Sequence, residues 1–457
     1  MQRFYLYLNM TKPGEKLILS YSDTNAKGEG ISPAYLIGSI RSLYPKLEIE
    51  GGAGVRPHKN SINNYCYPEN PEAGIDLFLE KLVQSAFAGK PEDIISQSVA
   101  KALYGEVSPY SATRLERFAA CAFAHFLQYG MKLTERVEYE FKPMDMGNVM
   151  HEALESFAEE VRKRGMKWTE LTEQERNEIA DRCLDNIVAD YGNTVLKSSA
   201  RNEYMIERTR RILRRTVWAL QKQLEQGEFQ PEGFEVTFGG GRIDRVDIME
   251  DQNKVYVKVI DYKTGNTSFD LVYLYHGLQL QLMIYLDGAL RVEQKKYPDK
   301  EIIPAGVFYY NIKDPMIQEK IDADVEAVSA GLMKELKMNG LGQADPELVY
   351  RMDSSLGSIP VAFNKDGSFR KNSSVADRTQ FAVLGRYVRT KIEKIRSSIL
   401  EGDAEVSPYE LGKKNACTYC PYMTVCGFDR RLSGYEFRRL KNFSDEELWK
   451  AFDWEAE

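Results

Sequence analysis

The chain has 457 residues, 43% of them apolar and 28% charged, and a formal net charge of −7. That length exceeds one average domain and leaves room for a large core, so two or three domains are expected. No apolar run reaches the ~18 residues of a membrane span and the segment after Met1 lacks a signal peptide's apolar core, so a cytoplasmic protein with no membrane role is expected. The acidic balance excludes a nucleic-acid binder that works through its global field and leaves only local basic patches. One such patch is Arg208, Arg210, Arg211, Arg214 and Arg215, of which helical spacing puts Arg208, Arg211 and Arg215 along one stripe, and the alternative is a solvated helix face paired with neighbouring acids.

In chain order, residues 4–22 read as an amphipathic helical piece followed by a short apolar strand, and 53–105 as Pro- and Ser-punctuated helices. The stretch SPYSATRLERFAACAFAHFLQYGMKL opens a new domain. Ser111 is placed to cap a helix whose apolar stripe is Leu115, Phe118, Phe123, Phe126 and Leu127. Cys121 and His125 lie in that stripe, and each taken alone reads as a core residue. In GNVMHEALESFAEEVRKRG, His151 and Glu155 are four apart and share a helix face, where a lone histidine is more often structural than a ligand. Long helices from about 169 to 227 then lead into a sheet over 234–263.

The stretch GRIDRVDIMEDQNKVYVKVIDYKTG, residues 241–265, reads as a hairpin whose turn is Asp251 to Lys254. Period two places Asp261 and Lys263 on one face, one pleat apart. On the preceding strand it puts Asp244 with Val246 and Ile248, and turns Asp247 the other way with Arg245, which reads as a surface ion pair. A carboxylate beside an ammonium can hold a divalent cation and position a water that attacks a phosphodiester. A helix over 274–293 carries Gln281 and Tyr285 one turn apart, aimed at a common point. Residues 305–312 read as a strand, 313–355 as charged and helical with breaks at Gly340 and Gly342, 358–377 as a hairpin turning at Asp366-Gly367, and 381–399 as a helix.

Three of the six cysteines, Cys417, Cys420 and Cys426, crowd into ACTYCPYMTVCGFD. In a cytosolic chain such a group reads as metal or cluster binding. No histidine follows to complete a zinc site, so Cys121 is the available fourth thiolate for zinc or for a cluster.

The segments G-x-x-x-H (147–151), G-x-I-D (241–244), D-Y-K (261–263) and Q-x-x-x-Y (281–285) together resemble the RecB-like group of PD-(D/E)XK nucleases. With LERFAACAF and ACTYCPYMTVCGFD added, the chain is similar to AddB subunits of bacterial AddAB helicase-nucleases. The resemblance implies an α/β, restriction-endonuclease-like fold with a mixed central sheet flanked by helices. It implies a mostly helical remnant of a superfamily-one helicase-like domain over 1–105, a nuclease domain over 106–430 closed by an iron-sulfur cluster, and a tail over 431–457. Asp244 and Asp261 are then ligands of Mg²⁺, joined by His151 and the Tyr262 backbone carbonyl. Lys263 becomes an electrostatic catalyst or, with a depressed pKa, a base, and Gln281 and Tyr285 orient the lysine, the water or the phosphate. Cys121, Cys417, Cys420 and Cys426 hold a 4Fe-4S cluster that acts as a staple. Closing a loop of about 300 residues contributes roughly 4 to 5 kcal/mol if it follows the disulfide model.

The activity implied is Mg²⁺-dependent exonucleolytic hydrolysis of single-stranded DNA during double-strand-break end processing and recombinational repair. The partners implied are DNA ends and an AddA-type helicase-nuclease subunit in a heterodimer. No ATPase activity is expected, because Thr11-Lys12 stands where the helicase-like half has Thr-Arg and no G-x-x-x-x-G-K-S/T loop occurs. The start of the chain suggests a truncated form. Two other readings are a catalytically silent iron-sulfur subunit that binds DNA ends and a stand-alone RecB-like exonuclease of the CRISPR-adaptation type.

Overall fold

The computed structural model describes residues 10–19, 21, 35–47, 94–105, 111–134, 143–190, 200–239, 241–317, 324–430 and 434–456. The chain divides into two units, Met1–Gly89 and Lys90–Glu457. The described part of the first contains helix α1 (Tyr35–Leu43). Leu17, Ile18 and Leu19 are exposed and belong to no strand, so the apolar strand read there does not form among the described residues. Most of 53–105, with His58 and Cys66, lies outside the described residues. Its last helix, α2 (Gln97–Tyr104), belongs to the second unit, so the unit boundary precedes the one expected near 105.

The second unit continues with α3 (Ala112–Ala120), α4 (Ala122–His125, running into a π turn), α5 (Pro143–Lys163), α6 (Glu173–Asp190) and α7 (Ala200–Glu225). Strands β1 (Gln230–Phe238), β2 (Gly241–Asp251) and β3 (Lys254–Lys263) form an antiparallel meander. Helices α8 (Leu271–Tyr275) and α9 (Gln281–Lys296) then cross to β4 (Glu301–Asn311), which lies parallel to β3. Helix α10 (Val325–Glu335), strand β5 (Asn339–Gln343), α11 (Pro346–Met352) and β6 (Val375–Ala376) complete a mixed sheet ordered β1-β2-β3-β4-β5-β6. After α12 (Arg378–Glu401) come the small sheet of β7 (Tyr409–Leu411), β8 (Lys414–Asn415) and β9 (Arg438–Arg439), the short α13 (Met423–Cys426), and α14 (Asp445–Ala456).

The alternation read in the sequence decides what each face of this sheet buries. Val246, Ile248, Val255, Val257 and Val259 join α3, α9 and α12 in one core. Met249, Ile260 and Tyr262, out of phase by one residue, join α5, α6 and α7 in the other. Asp244, Asp261 and Lys263 share the parity of the first set, so they belong to the α9 side.

Several expectations change. Asp247 does pair with Arg245, but not at the surface: it is 0% exposed, with Arg245 donating at 2.5 and 2.9 Å and the Lys258 ammonium at 3.0 Å. Arg245 also lies over the rings of Trp168 and Phe234, so aromatic cover from α5's side of the sheet hides what reads as a surface pair. The helix expected over 274–293 is two helices, because Gly277 at φ 77° turns the chain and α9 starts at Gln281. Gly340 and Gly342 lie in strand β5 rather than in helix breaks. A Cβ on Gly340 would fall 2.0 Å from the Val307 carbonyl oxygen, so only glycine lets β5 lie against β4. The turn at Asp366-Gly367 forms, with Ser368 donating to Asp366, but its arms make no regular ladder: they share one Phe363–Phe369 bridge and, further out, bonds from Ser373 to Ala362 and from Ser374 to Pro360. The expected tail is packed: Leu448 and Phe452 of α14 are buried in the α12-side core. The arginine patch of α7 is largely compensated: Arg211 and Arg215 of the stripe face Asp314, and off the stripe Arg210 and Arg214 are bound to Asp181 and Arg210 also to Asp185.

Candidate active site and cysteine cage

The ends of β2 and β3 meet the start of α9 and one face of α5. Asp244 Oδ2 accepts the backbone N–H of Tyr262 at 2.7 Å, which ties it to β3 beside Asp261. His151 reaches in from α5, its Nδ1 3.4 Å from that same oxygen and 3.7 Å from Glu235 Oε1. Glu235 sits in β1 at φ 50°, a left-handed conformation that costs a non-glycine residue energy, and its other oxygen is held by Arg242. Among the described residues His151, Glu235 and Asp244 form a group whose ligand atoms all lie within 4.8 Å of one another. Burial would lower the His151 pKa, but hydrogen bonds and charge from Asp244 and Glu235 raise it to about 10. Two carboxylates and an imidazole at this spacing are a donor set for a hard divalent cation.

Asp261 is buried, and that burial together with the charge of Asp244 pushes its pKa up to about 7, against the opposing pull of Lys263 and His151. The Lys263 ammonium lies 2.6 Å from Asp261 Oδ2 and donates to Gln281 Oε1 at 2.7 Å. Gln281 Nε2 in turn donates to the Tyr285 hydroxyl at 2.9 Å. Because Gln281 is the first residue of α9, the Q-x-x-x-Y spacing stacks both side chains over the helix entry. The structure pairs His151 with Asp244, Asp261 with Lys263, and Lys263 with Gln281 and through it Tyr285, while the close side-chain donor group among the described residues takes Glu235 and not the expected Asp261.

Two acids were not read from the sequence. Glu235 could have been suspected only from a carboxylate in the strand leading to G-R-I-D. Glu116, on α3, accepts at Oε1 from the backbone N–H of Leu280 at 2.7 Å and of Gln281 at 2.9 Å. Its burial pushes its pKa up to about 7, although both amides and the Lys263 charge pull the other way. Its one signal is a charge set among the apolar positions of LERFAACAF.

The cysteines converge elsewhere in the unit. Cys121 interrupts the helix expected over 111–127 at φ −166°, ψ 118°, and is buried at the junction of α3 and α4. It lines one small cavity with Cys417, Cys420, Cys426, Tyr422 and Phe428. Backbone amides of Ala124, Ser407 and Phe123 face the Cys121 sulfur, and the Phe428 N–H donates to Cys426 Sγ at 3.5 Å. Burial and the three neighbouring thiols push the Cys417 pKa up to about 12, so thiolates at this place need a cationic partner. A cage of four sulfurs served by amide donors fits an iron-sulfur cluster. His125 lies just beyond it, fully buried, as its position in the stripe suggested.

These features, with the mixed sheet, define a nuclease of the PD-(D/E)XK type, and residues 109–427 match the PD-(D/E)XK nuclease superfamily, to which the chain belongs. It is also similar to proteins named as the AddB component of an ATP-dependent helicase/deoxyribonuclease. That of Lachnoclostridium phytofermentans is 39% identical over 505 aligned residues, covering 100% of this chain and 43% of that protein. The one from Clostridium kluyveri is 32% identical, covering 99% of this chain and 44% of its own length. The one from Caldanaerobacter subterraneus subsp. tengcongensis is 30% identical, covering 100% and 44%. The chain spans less than half the length of these relatives.

Proposed function

We propose that this chain is the nuclease part of an AddB-type subunit, and that it hydrolyses phosphodiester bonds of single-stranded DNA at broken DNA ends alongside an AddA-type helicase-nuclease subunit. The observation that carries this reading is the convergence of Asp244, Asp261, Lys263 and His151, drawn from three separate segments, at the entry of α9. Asp244, Asp261, His151 and the Tyr262 carbonyl would hold Mg²⁺, with Glu235 as a carboxylate that the motifs did not include. Mg²⁺ bound there would acidify a water and offset charge on the phosphate.

The chain's own residues do the positioning. The tie to Tyr262 fixes Asp244 against Asp261. Lys263 has acceptors on two sides, so its amine serves as a donor to the attacking water or to a phosphate oxygen. Gln281 and Tyr285 keep the amine from swinging away. No ATP turnover is expected from these residues themselves, whose sequence carries no phosphate-binding loop. The cysteine cage would hold a 4Fe-4S cluster through Cys121, Cys417, Cys420 and Cys426, with a structural role.

The test is a Mg²⁺-dependent cleavage assay on single-stranded DNA, after anaerobic purification with iron and sulfide quantitation. Wild type is expected to cut, and Lys263→Ala to lose cutting while keeping its iron. Equal cutting by both removes the catalytic assignment. A wild type that binds DNA ends and cuts nothing favours the silent end-binding reading instead.

A further inference from the structure

The first N–H groups of any helix lack intrahelical partners, and the residue that precedes α9, Leu280, has no side chain able to cap it. The cap comes from far away in sequence: one carboxylate oxygen of Glu116 takes both the Leu280 and the Gln281 N–H. A negative group at this end also suits the helix dipole. Gln281 is therefore pinned at its backbone by Glu116 and at its side chain by Lys263 and Tyr285.

We propose that Glu116 is a positioning residue of the nuclease site, which sets the start of α9 so that Gln281 holds Lys263 against Asp261. This rests on the nuclease reading above. The holder is itself anchored. Ser111 caps α3 at one end, and at the other Arg438 donates to the Ala119 carbonyl just before Cys121. The turn that feeds α9 packs on the same helix, since a Cβ at Gly277 would lie 3.2 Å from the Ala119 methyl. Helix α3 thus links the cysteine cage, at its C-terminal end, to the lysine, through a single carboxylate at mid-helix.

The mechanism of positioning makes a sharp demand on substitutions. A glutamine amide oxygen can accept the same two N–H bonds, whereas leucine fills the volume and accepts none. Glu116→Gln is expected to keep kcat within about 3-fold of wild type, and Glu116→Leu to lower it on the order of 10²-fold at unchanged KM, with iron content retained. Peptide-level hydrogen exchange provides a readout that needs no activity: protection over 280–285 should fall in Glu116→Leu and persist in Glu116→Gln. Unchanged protection or unchanged kcat in the leucine variant overturns the proposal, as does an equal loss in both variants, which would assign the effect to charge. If Glu116→Leu loses its iron or its fold, the glutamine variant decides: wild-type kcat and protection support positioning, and loss of either overturns it. Absence of cutting by wild type would sink the nuclease reading alone, because the exchange result stands apart from it.

Discussion

Two charged clusters lie back to back on the β2–β3 hairpin, each pairing aspartate with basic side chains and separated by one residue of parity. On the α5 side, Asp247 is enclosed by Arg245 and Lys258; on the α9 side, Asp244 and Asp261 meet Lys263 and His151. Burial pushes Asp247 up, yet Arg245 and Lys258 hold its pKa below the ordinary carboxylate value. Burial and a second carboxylate leave Asp261 raised to about 7. The first cluster is closed and fully compensated. In the second, two carboxylates share two cations and oppose one another, and its Lys263 and His151 keep 27% and 28% of their side chains exposed. Compensation and access, rather than residue type, separate a structural ion cluster from a reactive one.

The comparison is broken most decisively by exchanging the consequences of mutation. Lys263→Ala should lower single-turnover cleavage on the order of 10³-fold while shifting the urea midpoint little. Asp247→Ala should do the reverse: removing the one carboxylate strands two buried cations and costs about 3 to 5 kcal/mol, with activity per folded molecule retained. Lys263→Ala that unfolds, or Asp247→Ala that folds normally and stops cutting, would erase the distinction.

A smaller effect sharpens the account of the reactive side. Glu235→Gln should weaken divalent-cation binding roughly 10-fold, as seen in the Mg²⁺ concentration for half-maximal rate. No change there would leave the Glu235 backbone conformation without a functional reason.

The smallest effect concerns a third buried group. Burial, aided by the Arg114 charge, lowers the His125 pKa to about 3, and Arg114 Nε donates to His125 Nε2 at 3.2 Å, which requires the neutral ring. The unfolded chain takes up this proton near pH 6.5 and the folded chain only near 3. Stability from this group is complete above about pH 6.5 and falls with pH by at most about 1.4 kcal/mol per unit. His125→Phe should flatten the stability profile between pH 6.5 and 5, and an unaltered profile would contradict the assignment.

Local periodicity was enough to place Asp244 and Asp247 on opposite faces, to pair Asp261 with Lys263, and to set Gln281 over Tyr285. It could not say what covers a face, which is why Asp247 read as exposed although Trp168 and Phe234 enclose its arginine partner. Glu116 was missed for the same reason: its partners are backbone amides 164 and 165 residues away. Strand β5 was hidden because Gly340 and Gly342, which weaken any local strand signal, are there for the close approach of β4. The packed α14 escaped because its buried Leu448 and Phe452 sit in an otherwise acidic stretch, where charge outweighs periodicity.

The most direct measurement is Mn²⁺ binding, followed by electron paramagnetic resonance, in wild type and in Asp244→Asn. Wild type should bind the ion competitively with Mg²⁺, and Asp244→Asn should lose most of that binding while keeping the fold, as read from its urea midpoint. Equal binding by both chains, or none by wild type, would contradict the claim that the α9 face of the hairpin is a cation site.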